Sequence, residues 1–121
     1  MNFLHIIVAL ASLMEAAQAD IRVGLSISSS GPAASLGIPG RYTVRLFPKE
    51  IAGIKVDYMV IDDGSIPGRA KDNFESLVDE HNVDVLIGGS IIPTAIPISE
   101  VAKSKSTPFI ILSPLVSQGA T

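Results

Sequence analysis

The sequence of 121 residues contains no cysteine. A disulfide framework, a thiolate nucleophile and a cysteine-ligated zinc site are therefore excluded. Positive charge is also scarce: nine Lys and Arg stand against twelve Asp and Glu, for a formal net charge of −3. A mildly acidic chain without a basic cluster offers nucleic acid no electrostatic footprint, and no such partner is expected. Histidine occurs only as His5 and His81. His81 falls at a helix end with no acidic or serine partner at catalytic spacing, and reads as a solvated C-terminal residue. With His5 inside the leader described next, a Ser-His-Asp enzyme within one chain is excluded and no catalytic residue is expected. No internal repeat or low-complexity linker interrupts the chain, so one domain is the ceiling.

What is present is apolar. Hydrophobic residues make up 47% and charged residues 17%, too apolar for disorder. Residues 1–19 differ from the rest. The stretch 3–14 is nearly all apolar, and Ala17-Gln18-Ala19 gives the small-x-small pattern of a signal-peptidase site before Asp20. This reads as a secretory signal peptide, too short for a membrane span, with periplasmic delivery of residues 20–121 as the consequence. The alternative is a buried N-terminal strand or helix.

Downstream, the segments alternate. Residues 21–27 are β-branched and alternating, which predicts a strand, and the Ser-, Gly- and Pro-rich stretch 28–37 predicts a loop. A short helix is expected over about 38–47, with Pro39 in its first turn and Pro48 ending it. A second strand is expected over 54–61, closed by the turn Asp62-Asp63-Gly64. Pro67 opens a second helix in which Ala70, Phe74, Leu77 and Val78 recur at helical spacing, with Lys71 and Glu75 paired on the wet side. Residues 83–87 form an apolar run suited to a strand covered on both faces. A third helix over about 94–105 and a fourth strand over 109–112 complete the pattern.

The order βαβαβαβ implies an α/β fold: a doubly wound parallel sheet with helices on both faces and strand order 2-1-3-4. The winding reverses between strands one and three, so the loops leaving them part and open a crevice. Those loops are 28–37 and 88–94. Both run into helix N-termini, whose free N–H groups and partial positive charge favour a carboxylate or phosphate, with Ser and Thr hydroxyls beside them. The alternative is that these residues only cap and turn the chain.

Several segments resemble the leucine/isoleucine/valine-type periplasmic binding proteins of ABC transporters. They are Ser30-Gly31-Pro32-Ala33-Ala34-Ser35-Leu36-Gly37, Tyr58-Met59-Val60-Ile61-Asp62-Asp63, Pro67 with its helix, Val83-Asp84-Val85-Leu86-Ile87-Gly88 and Ser113-Pro114. Pro48-Lys49-Glu50-Ile51 is similar to a subgroup with a shortened first hairpin region. The resemblance implies a type I periplasmic binding protein fold, two α/β lobes closing on a small ligand, with residues 20–121 as an incomplete N-terminal lobe. It implies an amino acid or related small carboxylate as ligand, no cofactor or metal, and a membrane ABC permease as partner once a second lobe completes the cleft. By position it assigns Ser30, Gly31, Pro32, Leu36, Ser90, Ile92, Thr94 and Ser117 to the ligand.

Departures from the family pattern refine this. Leu36 stands where an aromatic is common, and Ile92, after Ile91, stands where a serine usually meets the ligand carboxylate, leaving Ser90 and Thr94 as the nearest hydroxyls. Ser117 matches a threonine at the ligand head group, with Leu115 and Val116 where small residues are usual. Losing a hydroxyl against a buried carboxylate costs about 1.5–3 kcal/mol, so a more apolar, aromatic acid is expected in place of a simple aliphatic amino acid.

Other classes fit the residues less well. Asp62-Asp63 after a strand is also the start of a receiver-type magnesium or phospho-acceptor site, but strand three ends in Gly88-Gly89 rather than an acid, and a turn capping the approach to helix two is the simpler reading. A dinucleotide fold wants G-x-G-x-x-G after strand one, where only Gly31 and Gly37 stand, and export disfavours the cytoplasmic cofactor or phosphorelay of a flavodoxin- or receiver-like domain. A half-lobe that binds a protein partner through its open edge is the remaining alternative. The apolar fourth strand at that edge is expected to make the chain marginally stable or self-associating.

Overall fold

The computed structural model describes residues 20–114. The expected signal peptide and Ser117 lie outside the described residues. β1 (Ile21–Ile27) is the centre of the sheet, and its apolar residues Ile21, Val23, Leu25 and Ile27 share one face while Arg22, Gly24 and Ser26 take the other. α1 (Ala34–Thr43) follows and tightens into a single 3₁₀ turn at Val44–Leu46. Next come β2 (Glu50–Ile51), β3 (Ile54–Asp62), α2 (Pro67–Asp79), β4 (Val85–Gly88), α3 (Ile92–Ser104) and β5 (Phe109–Ile111).

The strand order is β2-β3-β1-β4-β5. β1 pairs in parallel with β3 and β4, and β4 with β5, so the four parallel strands take the expected order 2-1-3-4. Register puts Leu25 beside Val60 and Ile87, on one face, and Gly24 beside Met59 and Leu86, on the other. α2 and α3 cover this second face. Their Ala70, Phe74, Leu77, Ile98 and Val101 close over Leu86, and the Phe74 ring meets Phe109 edge-on at 5.4 Å. α1 lies on the first face, over Val23, Leu25, Ile27 and Val56.

Three expectations need correction. The sheet is not purely parallel: β2 pairs antiparallel with β3 across Ala52-Gly53, both at positive φ (52° and 79°), the backbone of a two-residue hairpin turn. Two residues of strand are too short to leave a periodic signal. The first helix starts four residues early, at Ala34, and Pro39 lies inside it. The carbonyl deprived of a donor by Pro39 belongs to Ser35, on an exposed turn open to water, so the helix tolerates the proline. It ends as expected, because Phe47 precedes Pro48 and is held extended (φ −68°, ψ 146°). Lastly, β4 is not fully covered on both faces: Leu86 and Gly88 are buried, whereas Val85 and Ile87 on the α1 side are half-buried. Beyond them on that side Ile110 and Leu112 are 55% and 50% exposed.

Candidate functional site

The site grows from the end of β1. The loop Ser28-Ser29-Ser30 leaves the sheet and is gripped by two adjacent carboxylates at the end of β3. Asp63 is fully buried. Its Oδ1 accepts from the Ser28 hydroxyl at 2.6 Å and the Ser65 amide at 2.9 Å, and its Oδ2 from the Ser26 hydroxyl at 3.3 Å. Asp62 Oδ1 accepts from the amides of Ser29 (2.9 Å), Ser30 (3.2 Å) and Gly64 (2.9 Å), and Oδ2 from the Ser30 hydroxyl (2.6 Å). Partial desolvation would raise the Asp62 pKa. The Ser30 hydroxyl and then the three amides outweigh it and hold the group below its ordinary value of 3.8. Ser65 adds a third tie, donating to the Ser30 carbonyl at 2.8 Å and accepting from the Ala33 amide at 3.0 Å.

Two glycines let backbones meet here. Gly31 turns at φ +75°, and a Cβ on it would sit 2.3 Å from the Gly64 carbonyl. A Cβ on Gly37 would sit 1.9 Å from the Ser28 carbonyl, so the first turn of α1 rests directly on the loop.

The loop after β4 joins from the other side. The Ser28 amide donates to Ser90 Oγ at 3.1 Å, which binds the two crevice loops to one another. α3 then starts from Ile91, which contributes no capping side chain, and α1 starts from Ala33, which likewise contributes none. Between α1 and the segments that follow β4 and β5 lies a hollow of about 420 Å³, lined by Ile27, Leu36, Gly40, Ser90, Leu112, Ser113 and Pro114. Among the described residues it has an apolar wall, two hydroxyls and no charged side chain. A larger hollow of about 520 Å³ lies away from both loops, between Arg41 and Arg45 on one side and Lys55 and Tyr58 on the other.

Of the eight residues singled out in the sequence, Leu36 and Ser90 line the first hollow together. Ser30, Gly31 and Pro32 lie exposed on the clamped loop beside it, and the Ser30 hydrogen is committed to Asp62. Ile92 is 47% exposed in the first turn of α3. Thr94 is fully buried and its hydroxyl donates to the Ile91 carbonyl at 2.9 Å, an intrahelical role away from the hollow. The residues not singled out are Asp62, Asp63 and Ser65 as positioning groups, and Ser113 in the wall. The turn reading of Asp62-Asp63 holds for the Gly64 and Ser65 amides. The capping of the second helix does not: its N-cap is Ile66, without a side-chain bond. The only sequence signal for the clamp was two acids after one strand and three serines after its neighbour.

Comparison with known proteins agrees with this architecture. The family model described as periplasmic binding protein matches residues 20–121. An extracellular ligand-binding receptor from Rhodopseudomonas palustris HaA2 superposes with a TM-score of 0.74 at 42% identity, covering 78% of this chain and 26% of that one. A second such receptor from Rhodopseudomonas palustris gives 0.79 at 40% identity, covering 82% and 28%. A solute binding protein of an ABC transporter from Rhodopseudomonas palustris BisB5, in complex with 3,4-dihydroxy benzoic acid, gives 0.72 at 27% identity, covering 76% and 26%. The chain thus spans about a quarter of the length of the solved chains it matches. No curated protein matches it. With the family model covering residues 20–121 and two receptors superposing on the chain at 40–42% identity, the chain belongs to the periplasmic binding protein family.

Proposed function

We propose that this chain provides one wall of the ligand cleft of an ABC-transporter solute-binding protein, and that its ligand is a small apolar carboxylic acid, aromatic rather than aliphatic. The observation that carries the reading is the hollow at the carboxyl ends of β1, β4 and β5, where Ile27, Leu36, Leu112 and Pro114 offer a flat apolar body its contacts. The two hydroxyls of the wall offer the acid its hydrogen bonds. A ligand with a charged amino group finds no counter-ion among the described wall residues. The relative crystallised with 3,4-dihydroxy benzoic acid supports the same ligand class.

In this reading residues 1–19 export the protein to the periplasm, a second lobe supplies the opposite wall, and the closed complex hands its ligand to a membrane permease. The role is binding, without catalysis. Titration calorimetry of the chain with 3,4-dihydroxybenzoate, benzoate and leucine tests it. Aromatic acids are expected to bind more tightly than leucine, and the reverse order would overturn the ligand class.

A further inference from the structure

The Ser113 hydroxyl is buried, the residue being 7% exposed, and among the described residues it finds no hydrogen-bond partner. Such a group is rare in a folded protein, because burying a hydroxyl without a partner forfeits its bonds to water. Ser113 lies two residues beyond β5 and lines the same hollow as Ser90. The Ser90 oxygen accepts the Ser28 amide, which leaves its own hydrogen free to donate. Two hydroxyl hydrogens thus belong to the wall of one otherwise apolar hollow, one after β4 and one after β5. Ile92, in the turn where the resemblance places a serine for this task, presents no side-chain donor.

We infer that Ser113 is a ligand-binding and specificity-determining residue that acts with Ser90 to hold the acceptor end of the ligand, its carboxylate or a carbonyl. The inference rests on the proposed function and adds to it the pair of hydroxyls that takes the acid. Uncharged donors fit an acid carried by an apolar body, since the hollow holds the ring by contact and the acid by hydrogen bonds. A ligand lacking an acceptor would leave both hydroxyl hydrogens unused, so the pair favours acids over hydrocarbons of the same shape.

The test uses the full chain, with 3,4-dihydroxybenzoate and benzoate as probes and benzylamine as the acceptor-free control. Ser113→Ala is expected to weaken both acids roughly tenfold, Ser113→Thr to restore most of the loss, and the unliganded Ser113→Ala protein to melt no lower than the wild type. Unchanged acid affinity in Ser113→Ala, with the wild type still binding, overturns the inference and leaves the proposed function standing. A lower melting point of unliganded Ser113→Ala assigns the hydroxyl a structural partner and overturns the inference as well. A wild type that binds neither acid removes the proposed function, and the inference falls with it.

Discussion

Ser28 donates its hydroxyl to Asp63 at 2.6 Å, across a sequence separation of 35 residues, and this bond joins the end of β1 to the end of β3 inside the molecule. Ser26 and the Ser65 amide share the same carboxylate. The bond does more than close a turn, because it fixes where the first crevice loop leaves the sheet.

Asp63→Ala would leave two hydroxyls and one amide without their acceptor. It is expected to destabilise the fold by about 3 kcal/mol, with Asp63→Asn, which keeps one acceptor oxygen, costing less. Urea unfolding of the three proteins measures this. A loss below about 1 kcal/mol for Asp63→Ala would show that the loop is held by other means.

Asp62 gives the loop a pH dependence. Its folded pKa lies below the ordinary 3.8, so the folded state favours the ionised carboxylate. Its contribution is present above the unfolded pKa of about 3.9 and is lost as pH falls through the lower folded value. Stability of the wild type relative to Asp62→Asn is therefore expected to be level from neutral pH to about 5 and to shrink below about 4. Unfolding curves across that range decide it, and a difference that grows on acidification would have the wrong sign.

Gly37 and Gly68 make a matched pair. A Cβ at Gly37 meets the Ser28 carbonyl at 1.9 Å, whereas a Cβ at Gly68 meets nothing within 4 Å. Gly37→Ala should cost at least about 2 kcal/mol by pushing α1 off the loop. Gly68→Ala should be neutral or stabilising by up to about 1 kcal/mol, since alanine is the better helix former. Equal thermal shifts in the two variants would contradict the close contact.

The α1 face of the sheet leaves Ile110 and Leu112 about half exposed beside the parallel edge strand β5. Apolar side chains next to an unpaired edge favour association between copies. The protein is expected to show concentration-dependent association by sedimentation, and Ile110→Lys to reduce it. A wild type that stays monomeric at high concentration and melts cooperatively would contradict this.

Periodicity alone determined the alternation of strands and helices, because the two patterns, every second residue and every third or fourth, report the face each segment must bury. Pro67 marked the start of α2, and Lys71 and Glu75 pair at 3.5 Å as their spacing requires. The crevice between the loops after β1 and β4 was legible too, since 2-1-3-4 is the common order for a chain that starts this way, and the Ser28 amide does reach Ser90. Only the tertiary structure decided what those loops offer. The Ser30 hydroxyl is bound to Asp62, Thr94 turns back to its own helix, and Ser113 stands in the wall without a partner among the described residues. Each of these depends on where a hydroxyl points once distant strands lie side by side, and hydrogen bonds are too short and too directional for a linear pattern to encode.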